Sequence, residues 1–168
     1  MLMDQKLLDL FQKQINKEFG SAYKYLGMAA YFQTTPFHGF ATWMRQQTKE
    51  ELGHGMKLFD YVHSRGHCVE LLPITSTPTQ YSSAFQVFKD TLVHEQFITH
   101  SINEMYRVAL DIKDYAAQVL LQWYIKEQVE EEKQVQEIID QFEFAGDNMG
   151  NIIAIDHEAG KRRNEYNQ

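Results

Sequence analysis

The sequence predicts an all-α fold, a four-helix bundle, and three observations carry that expectation. Three prolines and nine glycines in 168 residues are too few for a sandwich or barrel, whose turns recur about every ten residues. The breakers that do occur cut the chain into four long helical segments and a short fifth. Each long segment carries apolar residues at alternating steps of three and four, the spacing of a stripe that faces other helices. A hydrophobic share of 43% suffices for the core of one domain.

The first helix is expected over about 4–33, with Gly20 and Gly27 tolerated inside it. Thr34-Thr35-Pro36 ends it, because the residue before a proline is pushed out of helical geometry. The second, about 37–65, stops at Gly66, a natural left-handed residue after a helix. Pro73, Pro78 and a Ser/Thr cluster make about 66–81 a loop. The third helix covers about 82–110. After the polar turn Asp111-Ile112-Lys113-Asp114 the fourth covers about 114–144, with Asp114 as its N-cap. Gly146-Asp147-Asn148 closes it, and a fifth helix takes about 148–162. A helix of this length measures about 45 Å. Turns of a few residues make helices one and two, and three and four, antiparallel hairpins. The connector between the hairpins reaches about 50 Å when extended, enough to run the length of the bundle.

The formal charge of −7 has the wrong sign for a phosphate-backbone binder. The one concentrated basic run, Lys161-Arg162-Arg163, reads as a solvated tail, so no nucleic-acid partner is expected. A single cysteine, Cys68, excludes an internal disulfide framework and suits a reducing compartment. The chain starts without a basic segment followed by a long apolar one, and no uncharged apolar run approaches the ~18 residues that span a bilayer. The expectation is a cytoplasmic protein with no membrane partner.

The stripes hold the chemistry. The first reads Leu8, Phe11, Ile15, Glu18, Ala22, Tyr25, Ala29, Phe32, and the second Phe37, Phe40, Met44, Gln47, Glu51, His54, Leu58, Tyr61. The third reads Phe85, Phe88, Leu92, Glu95, Thr99, Ile102, Tyr106, Ala109, and the fourth Ala117, Leu121, Tyr124, Gln128, Glu131, Val135, Ile138, Phe142. All four are apolar at both ends and broken by a carboxylate near the middle. In an antiparallel hairpin, residues whose numbers average to the turn centre lie side by side. Glu18 and His54 average to position 36, the first turn, and Glu95 and Glu131 to position 113, the second. With the hairpins aligned, Glu18, Glu51, His54, Glu95 and Glu131 converge.

Buried carboxylates repel one another and each costs several kcal/mol unless neutralised. No Lys or Arg occupies any stripe, whereas a pair of divalent metal ions would supply the missing charge. Carboxylate and imidazole donors suit iron or manganese better than the thiolate-rich sites of structural zinc. Glu51 and His54 stand three apart on one helix face, the Glu-x-x-His spacing that lets both reach one ion. On the residues alone, Tyr25, Tyr106 and Tyr124 read as packing side chains with a bonded hydroxyl. His94 and His100 lie off the seam and are expected at the surface, and Glu130 and Glu132 as a partly solvated face around Glu131.

This pattern resembles the ferritins, specifically the bacterial non-haem type. Ferritin-like di-iron bundles take one Glu from each of two helices and Glu-x-x-His from each of the other two. Glu18 and Glu95 match the single glutamates and Glu51/His54 one Glu-x-x-His. The fourth helix departs with Gln128-x-x-Glu131, a form similar to ferritins proper and unlike bacterioferritins, rubrerythrins and di-iron oxygenases. The likeness covers nearly the whole chain, including Tyr25, Lys49-Glu50-Glu51-Leu52-Gly53-His54, Trp123 and Gly150-Asn151-Ile152-Ile153-Ala154-Ile155-Asp156. Leu52 stands where a bacterioferritin places its haem-binding Met, so no haem is expected.

The resemblance implies a first iron site of Glu18, Glu51 and His54 and a second of Glu51, Glu95 and Glu131, with Glu51 shared. Gln128 would bond near the oxygen-binding position, and Tyr25 joins the reacting group. A third iron site is implied at Glu50, Glu127 and Glu130, with Glu131 shared. The implied function is iron storage with ferroxidase activity: Fe(II) is oxidised by dioxygen or peroxide, and hydrated ferric oxide is kept inside a self-assembled 24-mer shell. Three competing classes stay open on sequence: a di-iron enzyme for an organic substrate, a DNA-protecting mini-ferritin, and a structural bundle with its acids in solvent. The first would need a second Glu-x-x-His, the second a basic tail and ligands at a subunit interface. The third predicts no saturable metal sites.

Overall fold

The computed structural model describes residues 3–161 and shows five helices and no strand among them. They are α1 (Gln5–Gln33), α2 (His38–Ser64), α3 (Ala84–Asp111), α4 (Tyr115–Ala145) and α5 (Met149–Ala159). Each lies within two or three residues of its expected place. Residue 162, where the fifth helix was expected to end, and Arg162-Arg163 of the basic run lie outside the described residues.

Local chemistry sets the ends. Asp4, Ser83, Asp114 and Asn148 each accept a backbone N–H from the first turn of α1, α3, α4 and α5. The α2 C-terminus closes with Gly66 at φ 79°, where the amides of Gly66 and His67 reach back to the carbonyls of His63 and Val62. The α3 C-terminus makes the same pair of bonds from Lys113 and Asp114 to Leu110 and Ala109, with Lys113 at φ 59°. Phe37 gives α2 no side-chain cap. A distant residue supplies it: the buried Asp156 of α5 accepts the Phe40 N–H at 2.7 Å.

Helices α1 and α2 form one antiparallel hairpin, α3 and α4 the other, and α1 packs on α3 while α5 packs on α2 and α4. Arg65, just past α2, grips the Asp114 cap of α4 through two parallel bonds of 3.1 and 2.8 Å, tying the hairpins together at one end. The crossover holds no helix and presses on α1 at Gly27, where a Cβ would sit 2.5 Å from Thr77 and 2.7 Å from the Pro78 carbonyl.

The core is split. One apolar cluster, near α5, centres on Phe32, Phe40, Trp43, Phe88 and Phe142. The other, at the far end, centres on Leu7, Phe11, Ile15, Leu58, Ile102 and Leu121. Between them lies a layer of buried polar side chains. The first and fourth stripes are buried throughout. The third is rotated: Phe85, Leu92, Thr99 and Tyr106 are only half-buried, while Val87, Thr91, Ile98, Met105 and Val108 are inside. Glu95 is buried.

Candidate metal centre

Each long helix delivers at least one ionisable group to the polar layer. Glu18 of α1, Glu51 and His54 of α2, Glu95 of α3 and Glu131 of α4 are all at most 2% exposed, and no Lys or Arg is among the buried side chains of the described residues. Ligand atoms of Glu18, Glu51 and His54 lie within 4.8 Å of one another. His54 Nδ1 stands 3.3 Å from a Glu51 oxygen, a consequence of their spacing of three on one helix face.

Neutral donors hold the carboxylates in place. Gln14 donates to Glu18 Oε1 at 2.7 Å, and Glu18 Oε2 is buried with no hydrogen-bond donor. Gln47 reaches Glu131 at 2.6 Å and Glu51 at 3.4 Å. Glu95 takes the Tyr25 hydroxyl and, at 3.1 Å, the Gln128 amide. Tyr124 donates to the backbone carbonyl of His54 at 2.7 Å, fixing α4 against α2 at the level of the imidazole.

The electrostatics follow from this crowding. Burial pushes the carboxyls of Glu18, Glu51 and Glu131 well above their ordinary range, and neighbouring carboxylates push further: Glu51 on Glu18, Glu95 on Glu51, Glu95 and Glu51 on Glu131. Glu95 is raised less far, because the Tyr25 and Gln128 donors favour its anion. Burial and the nearby Glu95 push the Tyr25 phenol up, so it stays a donor. Among the described residues no buried Lys or Arg offsets this repulsion, and the His54 imidazole counters only part of it. Carboxylate and imidazole donors with no thiolate, together with a buried carboxylate oxygen that receives no hydrogen bond, fit hard or borderline divalent cations such as ferrous iron.

The remaining expected ligands divide. His54 also gathers Glu127 and Glu131 within 4.8 Å, its Nε2 standing 3.9 Å from Glu127. Glu51, Glu95 and Glu131 interact electrostatically but do not close into one trio at that spacing among the described residues. Nor do Glu50, Glu127 and Glu130: Glu50 is buried beside Glu51, while Glu130 is exposed and faces Lys133 at 3.8 Å. Glu132, expected on the same solvated face, is half-buried and accepts the Thr99 hydroxyl.

His94 needs a correction. It is half-buried rather than exposed: Ser21 Oγ lies 2.7 Å from its Nε2, its ring meets Tyr25 edge-on, and burial, helped by Lys24, lowers its pKa to about 4. His100 is exposed. Gln14, one turn before Glu18, stands outside the expected stripes, and its spacing of four from Glu18 does not by itself mark it as that carboxylate's donor. Gly55 has a structural reason, since its Cβ would lie 2.5 Å from the Phe19 ring. Nothing in the structure explains glycine at position 53.

A ferritin-like domain model matches residues 8–145. A bacterial non-heme ferritin of Staphylococcus saprophyticus is 35% identical over 161 residues, covering 96% of each chain. That of Staphylococcus aureus (strain USA300) is 34% identical over 161 residues, covering 96% of this chain and 97% of its own. Among solved structures, an open pore ferritin from the hyperthermophilic archaeon Archaeoglobus fulgidus superposes with a TM-score of 0.94 at 37% identity, covering 96% of this chain and 99% of that one. The chain belongs to the ferritin-like family, and within it resembles the bacterial non-haem ferritins. Iron storage with ferroxidase-type chemistry is the general function of that family. No helix among the described residues is long and apolar enough to cross a membrane.

Proposed function

We propose that this chain is an iron-storage ferritin whose subunits oxidise Fe(II) to Fe(III) with dioxygen or peroxide. The observation that carries the reading is the polar layer: four glutamates and a histidine buried between two apolar clusters with no buried Lys or Arg among them. Glu18, Glu51 and His54 receive one ferrous ion, and Glu51, Glu95 and Glu131 the second. Oxygen ligands favour the ferric product. Two ferrous ions side by side give up two electrons together, so the oxidant is reduced without release of a one-electron radical. Glu51 lies between the two sites, Gln128 orients Glu95, and the Tyr25 hydroxyl holds Glu95 from the other side. Glu50, Glu127 and Glu130, with Glu131 shared, are the third iron site of this reading, Glu127 approaching the imidazole of His54. Subunits assemble into a shell of roughly two dozen copies around a mineral-filled cavity, in the cytoplasm, with neither nucleic acid nor membrane as partner.

Aerobic addition of Fe(II) with oxygen uptake recorded, followed by sizing of the product, tests this. Saturable oxygen consumption ending in a mineral-loaded particle of shell size is expected. Oxidation no faster than in protein-free buffer, with no loaded particle, would overturn the reading.

A further inference from the structure

A thread of hydrogen bonds runs from the side of the bundle to the first ligand. Lys17 Nζ donates to Ser101 Oγ at 2.6 Å, Ser101 Oγ donates to Gln14 Oε1 at 2.6 Å, and Gln14 Nε2 donates to Glu18 Oε1 at 2.7 Å. All three donors point the same way, toward the carboxylate, so each bond polarises the next. Lys17 and Ser101 are half-buried and Gln14 is fully buried. The Lys17 ammonium also sits 4.8 Å over the Phe97 ring, which holds it against α3 rather than out in water.

Direction matters because an amide can face either way. The ammonium occupies the Ser101 oxygen, leaving that hydroxyl to donate onward. The hydroxyl then fixes the oxygen end of the Gln14 amide, and only the NH₂ end is left for Glu18. Gln14 therefore claims Oε1, and Oε2 is the oxygen without a donor.

We infer that Lys17, Ser101 and Gln14 are positioning residues that hold Glu18 as a one-oxygen ligand, presenting Oε2 to the ion shared with Glu51 and His54. This rests on the metal-centre reading above and adds to it a device spanning α1 and α3. Without the thread the Gln14 amide can turn its oxygen toward Glu18, and the carboxylate loses its fixed aim. Loss of a group that orients a metal ligand weakens binding about ten- to a hundredfold.

The test is anaerobic titration with Co(II), whose visible absorption reports ligand geometry, on the assembled wild-type protein and on Ser101→Ala, Ser101→Thr and Lys17→Met. Two saturable sites per subunit are expected in the wild type. Ser101→Ala should weaken one of them at least tenfold with a changed spectrum and leave the other alone. Ser101→Thr, which keeps the hydroxyl, should restore both affinity and spectrum, and Lys17→Met, which removes only the ammonium at the outer end of the thread, should fall between. Two wild-type sites with Ser101→Ala and Lys17→Met indistinguishable from them would overturn the relay alone. No saturable site in the wild type would overturn the metal centre and the relay with it.

Discussion

Glutamate 131 illustrates how the single side chains of the polar layer behave. It is buried, repelled by Glu95 and Glu51, and held by one amide from Gln47. A carboxyl in that position carries a proton in the metal-free protein well above the ordinary carboxylate range, and a cation must displace it. Replacing Glu95 or Glu131 by Ala should therefore abolish fast Fe(II) oxidation, read by oxygen uptake, while the assembled particle keeps its size. Unchanged rates in both variants would remove these residues from the site. Glu131→Gln, which removes the repulsion but keeps the volume, should leave the metal-free protein as stable as the wild type or more so, as melting at neutral pH would report. The five principal ligand candidates were legible because a carboxylate in an apolar stripe is conspicuous. Their neutral partners Gln14 and Gln47 were not assigned to the site, since an uncharged amide costs little when exposed and gives no sign in a sequence of which carboxylate it serves. His94 was misjudged for a related reason: its partner, Ser21, lies 73 positions away.

At the scale of helices, the fifth depends on the second. The N-terminus of α2 lacks a cap of its own and borrows Asp156, and the two helices approach so closely that a Cβ on Gly39 would lie 1.7 Å from the Asp156 carbonyl oxygen. Gly39→Ala should consequently push α5 off the bundle, at a cost of about 1–3 kcal/mol or more for the overpacking. Amide exchange along Met149–Ala159 should rise, and the emission of Trp43, which lines a cavity with Ile155 and Ala159, should shift. Unaltered exchange in α5 would contradict the borrowed cap. Helix existence and hairpin pairing could be read from breakers and stripes, because caps and turns are local. The rotation of α3 could not. Its apolar residues are broad enough in angle to support two neighbouring registers, and only packing against α1 and α4 chooses Val87, Ile98 and Met105 over Phe85, Leu92 and Tyr106.

For the molecule as a whole, the polar layer sets stability against pH and metal. The carboxyls of Glu18, Glu51 and Glu131 titrate higher when folded than when unfolded. The folded state thus binds more protons, and stability falls as pH rises from the ordinary carboxylate range through the folded pKa values. The metal-free protein should melt at a lower temperature at pH 7 than at pH 5.5 on this account, and added Zn(II) or Co(II) should raise the pH 7 value most. A melting temperature indifferent to both pH and metal would mean that the layer is not strained by its own charge. The most direct measurement is diffraction from crystals soaked in ferrous salt under nitrogen, read by the anomalous signal of iron. Iron is expected between the two apolar clusters, with one ion bound by Glu18, Glu51 and His54. An empty centre, with the glutamates turned outward into water, would contradict it.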